Sequence, residues 1–469
     1  MIVNELRERH PRIVYENFSV ARRDRSLELT FSFLLEPDIQ FRSQLVFESV
    51  NQSKLESIDP RLLDALFFNI GMVEVLSYWK AACSAEILVS AGSLTQEQLE
   101  WWEDLLLHGM REYFFVNQID YKRKGFIKIT TAQKSAPGTG HDFAATGSGT
   151  LVLTSGGKDT ALSLQILKEA KQSLSCLLLN PTQAALDLAS EAGAENQLIV
   201  RRTIDPKLLD LNKAGYLNGH TPFSAYLAFL GVTCAFLFGY DRIIVSNERS
   251  SDEGNVTFLG SDVNHQYSKT LRFEKKFQEY VERHFSTKVH YFSLLRPLYD
   301  LQITRVLAEY PQCLVLFKSC NRSMKDNSWC GHCPKCLSVY TMLYPFIEQQ
   351  ENTRIFGRDL FEKEENVLIM KELSGFSGHK PFECVGTAEE ILAALYLCIL
   401  RRRTRDGDLP IVLQYGEDNI LPLNPHALAA AERLLLAWTD RHTLTPEFEE
   451  LVKKQLRKIN LDVLQLASY

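Results

Sequence analysis

Between residues 151 and 300, short apolar runs alternate with longer stretches of helical period, and this restricts the fold more than any other feature. LVLTS (151–155) precedes a helical stretch at 159–172, and LSCLLLN (174–180) precedes another at 182–193. QLIVRR (197–202), an apolar helical stretch near 222–238 and RIIVSN (242–247) continue the series. Strands apolar along their whole length and separated by helices predict a parallel sheet covered on both faces, an α/β core. A chain of 469 residues exceeds one ordinary core, so further parts are expected around it.

The preceding 130 residues read as an α+β part. LELTFSFLL (27–35) and FRSQLVFESV (41–50) alternate as half-buried strands, with Pro37-Asp38 as the turn between them. Helical patterns follow near 61–85 and 95–110, then a strand-like FIKIT at 126–130. TAQKSAPGTGHDFAATGSGT (131–150) is small, Gly-rich and nearly uncharged, which predicts a linker or a flap over the next part. The expected division is therefore 1–130, 131–150, a core over 151–350, and a mainly helical region over 351–469. AEEILAALYLCILRRR (388–403) is the strongest helical segment of that last region.

A net charge of −6 gives no general electrostatic footprint for nucleic acid. KRK (122–124) and RRRTR (401–405) are short basic runs, and such runs usually form solvated faces. The N-terminus has no apolar signal core, which places the chain in the cytoplasm. TPFSAYLAFLGVTCAFLFGY (221–240) is apolar enough for a membrane span. Pro222, Gly231 and Gly239 interrupt it and a strand-like segment follows at once, so a helix buried against the sheet is expected, and no membrane partner.

Within the core, SGGKDT (155–160) follows the first strand and opens a helix. Ligands of open parallel sheets sit beyond the carboxyl ends of the strands. Gly156 and Gly157 admit a ligand close to the backbone N–H groups, Ser155 and Thr160 add hydroxyls, and Lys158 adds a cation. The helix dipole favours an anion, and a phosphate chain meets all these conditions. The pattern is neither a Walker loop nor a GxGxxG turn. A plain βα turn is the simplest alternative.

Ten cysteines in a chain of this kind point to metal or catalysis rather than disulfides. Cys83, Cys176, Cys234, Cys313, Cys384 and Cys398 are scattered, mostly in apolar surroundings that suit core packing. Cys320, Cys330, Cys333 and Cys336 are clustered, with spacing C-x9-C-x2-C-x2-C. Four thiolates so spaced can surround one tetrahedral Zn²⁺ of structural kind, with an iron–sulfur cluster or free thiols as the alternatives. His332 lies inside the cluster, but the four cysteines already fill the shell.

Ser-Gly-Gly-x-Asp-[Ser/Thr] after an apolar strand resembles the pyrophosphate loop of the N-type ATP pyrophosphatases, the PP-loop superfamily. That resemblance implies ATP, with Asp159 helping to hold Mg²⁺ against the phosphates. A cysteine knot just after the sheet is similar to that of the deazaguanine nitrile synthases, although their first spacing is usually shorter. GYLNGHTPFSAY (215–226), VSNERSSDEGN (245–255), NHQYSKT (264–270), YFSLLRPL (291–298), SCN…WCGHCPKC (319–336) and KPFECVGT (380–387) form one series. In order and wording it resembles the UDP-N-acetylmuramoyl-L-alanyl-L-glutamate epimerase family. The resemblance runs from the LTFSF segment to about residue 400.

It implies an ATP- and Mg²⁺-dependent inversion of the terminal L-glutamate of UDP-MurNAc-L-Ala-L-Glu, with release of AMP and pyrophosphate, for peptidoglycan precursor synthesis. The alternative is another adenylating enzyme of this core, acting on a deazapurine or a tRNA base. Candidate proton carriers are His220, because imidazole titrates near neutrality, Cys384, and Glu248, which could instead be a Mg²⁺ ligand. Each has a plainer role as well: a cap or loop bond for His220, a salt bridge with Arg249 for Glu248, packing for Cys384. Arg249, Lys269 and Arg296 are candidates for the substrate's carboxylates and phosphates. Tyr267 lies in a stretch too polar for a core strand, and Asn180 is placed like residues that meet the nucleoside of ATP.

Overall fold

The computed structural model describes residues 2–132, 143, 147–405 and 407–459. The expected flap at 131–150 therefore falls largely outside the described residues. Ten strands form one sheet. Its first nine are β1 (Arg12–Arg23), β2 (Ser26–Leu35), β3 (Ile39–Phe47), β4 (Glu86–Val89), β5 (Lys128–Thr131), β6 (Thr150–Leu153), β7 (Leu174–Leu179), β8 (Gln197–Thr203) and β9 (Arg242–Val245). A small hairpin of β10 (Val256–Phe258) and β11 (Ser261–Val263) stands apart, and β12 (His290–Ser293) completes the sheet. The spatial order is β12-β9-β6-β7-β8-β3-β2-β1-β4-β5.

The strands from β12 to β8 are all parallel, as the alternation predicts. Successive residues of each enter opposite cores, because side chains of a strand alternate between faces. Leu151, Leu177, Ile243 and Tyr291 join one core with the helices Pro60–Trp79 and Phe223–Phe238. Val152, Leu178, Ile244 and Phe292 join the other, with the helix Lys158–Glu169 and the C-terminal helices. The apolar segment near 222–238 is thus a core helix, packed so closely that a Cβ on Gly231 would lie 3.1 Å from Ile243. One helix, Pro60–Trp79, is long and apolar enough to cross a membrane, yet 83% of its most apolar window is buried inside the fold.

The N-terminal strands extend the same sheet. β3 pairs antiparallel with β8, Leu45 opposite Arg202, so the chain on either side of the Gly-rich segment shares one hydrogen-bonded ladder. β1, a 12-residue strand, was not foreseen. Only its first few residues are largely buried, so its second half lacks the alternation that signals a strand. A buried ion pair ties this region to the core. Glu74, on the helix Pro60–Trp79, accepts two hydrogen bonds from Arg202 of β8, both 2.8 Å. Burial pushes the Glu74 carboxyl up, and Arg202 offsets part of that. Arg202→Met leaves Glu74 buried without its partner and is expected to lower stability by about 3–5 kcal/mol, measured by denaturant unfolding.

The basic run at 401–405 is a charged helix face: Arg401 and Arg405 pair with Glu348, and Arg403 with Glu417. Five of the scattered cysteines (Cys83, Cys176, Cys234, Cys313 and Cys398) are fully buried, whereas Cys384 is partly exposed.

Candidate active site

The chain runs β6, β7, β8 in one direction across the sheet and then returns to β9 on the other side of β6. The crevice at a doubly wound sheet's reversal point opens at the carboxyl ends of β6 and β9, where such folds bind ligands. SGGKDT leaves β6 there, and Ser246-Asn247-Glu248 leave β9.

Gly156 has φ +85°, and a Cβ on it would come within 2.9 Å of the Ala185 backbone nitrogen, so the turn needs glycine. Gly157 caps the helix Lys158–Glu169 without a side-chain bond of its own, and the first N–H, that of Lys158, is met from outside by Ser319 Oγ at 3.3 Å. Ser155 is exposed, and its hydroxyl lies 3.1 Å from that of Thr160. Lys158 does not present a free cation to this turn. Its side chain is 1% exposed and turned inward, paired with both Asp159 and Asp300. Burial opposes its charge, but Asp159, Asp300 and Glu248 outweigh that and raise its pKa. Asp159 keeps 24% of its side chain exposed. Glu248, buried beside Asp159, is pushed up to about 7 by burial and by that carboxylate, against the pull of Lys269 and Lys158.

Next to this cluster lies a second one. Lys269 Nζ is 3.2 Å from Cys384 Sγ. His265 bonds Glu112 through Nδ1, and its charge acts on the same thiol. Burial would raise the thiol, but Lys269 and His265 bring it down to about 5. The reciprocal effect of Cys384 and Glu112 overcomes burial at His265 and lifts it to about 9. Both shifts favour an ionised thiol at Cys384 beside a protonated His265. His220 lies beside His265, the rings tilted at 45° with centroids 4.3 Å apart; burial and the positive charges of His265 and Lys269 lower it to about 3, which favours the neutral form.

Asn255 brings these segments together. Its Nδ2 donates to the Pro381 carbonyl (2.7 Å), and its Oδ1 accepts from the His265 N–H (2.9 Å). Arg296 acts likewise from inside. It is 1% exposed, donates to the Glu248 carbonyl (2.8 Å) and to that of Lys269, and pairs with Glu274 at 3.1 Å. Arg296 is thus a strut of the site rather than a group facing a substrate. Tyr267 is also turned away, donating to Asp104 at 2.9 Å and stacked on His108. Asn180 lies past β7 with φ +45°, and both ends of its amide bond the backbone of Arg202 on β8. Arg249 stays available. Its guanidinium lies 4.4 Å above the Tyr299 ring, and no ion pair with Glu248 forms.

The four clustered cysteines meet. Their sulfurs lie within 4.8 Å of one another, so the cluster could hold a metal ion. Backbone N–H groups of Ser323 and Cys336 donate to Cys320 Sγ (3.2 Å) and Cys333 Sγ (3.4 Å), as suits thiolates. His332 is exposed and bonds the Cys330 carbonyl. The cluster is joined to the glycine turn: the Lys318 N–H donates to the Gly156 carbonyl (2.9 Å), and the Lys158 N–H to Ser319 Oγ (3.3 Å). On its other side Lys335 donates to Glu383 Oε2 (2.8 Å) from its backbone and to the Cys384 carbonyl from its ammonium.

His265, Glu112, Asp300, Lys335 and Asn255 were not singled out from the sequence. Three of them stand inside motifs already quoted (His265 in NHQYSKT, Asn255 in VSNERSSDEGN, Lys335 in CPKC). Glu112 sits on a short helix with no local signal, 153 residues from His265.

A run of parallel strands with a glycine turn at its reversal point, and lysines and carboxylates paired beside it, is the arrangement of an α/β enzyme. The chain belongs to the MurL family: residues 4–294 match the MurL N-terminal domain and residues 316–423 the MurL C-terminal domain. It is similar to a protein of Xanthomonas oryzae pv. oryzae named UDP-N-acetyl-alpha-D-muramoyl-L-alanyl-L-glutamate epimerase, with 32% identity over 389 residues, 81% of this chain and 84% of that one. Relatives of the same name from Micromonospora sp. and Salinispora tropica are each 33% identical, over 73% and 75% of this chain and 76% of their own.

Proposed function

We propose that this chain is an epimerase that inverts the terminal L-glutamate of UDP-MurNAc-L-Ala-L-Glu to D-glutamate, using ATP and releasing AMP and pyrophosphate. The gathering of Lys158, Asp159, Glu248, Asp300 and Lys269 at the reversal point carries this reading, in a chain whose relatives bear the epimerase name.

The chemistry has a physical reason. The two diastereomers differ little in free energy, so ATP serves kinetics rather than equilibrium. A carboxylate next to the reacting C–H opposes carbanion formation, because negative charge would accumulate. Joining it to AMP as a mixed anhydride removes that charge and acidifies Cα. The first N–H groups of the helix Lys158–Glu169 suit the phosphates, and Asp159, the partly exposed carboxylate of the turn, suits Mg²⁺. Mg²⁺ would neutralise phosphate charge there. Arg249, which makes no ion pair among the described residues, suits a substrate carboxylate or phosphate. The four-cysteine cluster suits structural Zn²⁺, since four thiolates leave no open position for chemistry. The N-terminal and C-terminal parts would wall the large UDP-sugar peptide.

Glu248 and His265 hold the charge states that proton transfer needs near neutrality, one half-ionised and one protonated. A base must be ionised to act, and Glu248 ionises as pH rises, so kcat/KM should climb through about pH 7. Glu248→Gln is expected to remove this limb and to slow epimerisation roughly 100-fold or more, read from pH–rate profiles of both proteins. The overall reading is tested by following AMP release across candidate substrates that include UDP-MurNAc-L-Ala-L-Glu. In D₂O, turnover must place deuterium at the glutamate α-carbon. AMP release with another substrate and none with this one would refute it.

A further inference from the structure

Glu112, His265, Cys384 and Lys269 form an arrangement that proton shuttling alone does not require. A carboxylate holds an imidazole, an ammonium stands 3.2 Å from a thiol, and the charge of the imidazole acts on the same sulfur. Carboxylate, imidazole and nucleophile are the groups that activate a side chain for attack on acyl groups, and the ammonium beside the sulfur favours its ionised form. It is assembled from three distant stretches, with Asn255 fastening the cysteine loop to the histidine loop. The other scattered cysteines are fully buried, whereas Cys384 is partly exposed. Lys269 also feels the charges of Glu248 and Asp159, which places the sulfur one lysine away from the cluster at the glycine turn.

We propose that Cys384 is a covalent nucleophile that takes the glutamyl acyl group from the adenylate, so that inversion occurs on an enzyme thioester. The inference rests on the adenylation reading above. The thiolate attacks the activated carbonyl carbon; the S–C bond forms, the C–O bond to AMP breaks, and AMP leaves with that electron pair. Proton removal and return at Cα follow. Water then attacks the thioester carbonyl, and the carboxylate and the Cys384 thiolate are regenerated, the water's protons passing to solvent. No oxidant or reductant enters.

A thioester suits this role better than the anhydride. Sulfur donates poorly into the carbonyl, so the α-hydrogen remains acidic, while the bond survives water long enough for a proton to leave and return. The same property would keep AMP, once departed, from recapturing unreacted substrate. Lys269 and His265, which hold the thiolate's charge before the attack, stay beside the acylated sulfur and can stabilise an enolate.

The test combines two readouts on the full-length protein. The first is substrate-dependent exchange of labelled pyrophosphate into ATP, which reports adenylation alone. The second is deuterium incorporation at the glutamate α-carbon. In Cys384→Ala and in the nearly isosteric Cys384→Ser, incorporation is expected to fall at least roughly 100-fold further than exchange. Acid-quenched wild-type protein is expected to carry the substrate acyl mass on the Cys384 peptide, released by hydroxylamine. Deuterium incorporation by either variant that falls no further than exchange would overturn the thioester. So would a loss of exchange as large as the loss of incorporation in a folded variant, because the sulfur would then act before acyl transfer. No exchange in the wild type would instead remove the adenylation reading itself.

Discussion

Asp159→Asn should lower substrate-dependent AMP release by roughly three orders of magnitude, while the melting temperature stays within about 3 °C of the parent. The two halves of this expectation come from different features of one residue. Asp159 is the partly exposed carboxylate of the turn, in the first turn of a helix whose cap, Gly157, makes no side-chain bond, so it is the charge a phosphate-bound Mg²⁺ would meet. Asparagine keeps its shape and removes its charge. The fold should tolerate the change because Lys158 retains Asp300, the more deeply buried of its two partners. AMP release by chromatography and a thermal melt check the two halves separately. Full turnover by this variant would take the glycine turn out of the mechanism.

Cys336→Ser should have the largest effect on stability, a fall in melting temperature of more than about 10 °C together with loss of bound zinc. Binding at a four-thiolate site contributes on the order of 10 kcal/mol to folding, and three thiolates hold the ion far less well. Activity should fall with stability, because the cluster adjoins the site on two sides. Lys318 and Ser319 brace the glycine turn, and Lys335 reaches the Cys384 loop. Metal analysis and a melt are the measurements. His332→Ala should leave the metal content unchanged, since this histidine is exposed and engaged with the Cys330 carbonyl. Equal stability of Cys336→Ser and parent would mean that the cysteines hold no structural metal.

Much of the fold is legible in the sequence because its signals are local. The parallel strands declare themselves by unbroken apolar runs, the turn after β6 by its two glycines, and the cysteine cluster by its close spacing. The helix Phe223–Phe238 is apolar on every face, which marks it as buried, and Gly239 ends it at φ +83°. β1 escaped notice because a long strand with an exposed half carries no periodic pattern. The union of β3 with β8 escaped because strand pairing between such distant stretches of chain leaves no local trace.

The functional residues divide along the same line. By itself the sequence determined that a glycine turn opens a helix after a buried strand, that four cysteines can meet, and that six polar motifs recur in the order of one family. Only the tertiary structure decided which side chains face each other. It turned Lys158 inward and made Arg296 a strut; it sent Tyr267 and Asn180 to other partners, joined His265 to Glu112 and set Lys269 against Cys384. The physical reason is that charge state and reactivity belong to surroundings rather than to residue type. The Cys384 thiol is lowered by a lysine 115 residues away, and no pattern read along the chain contains that distance.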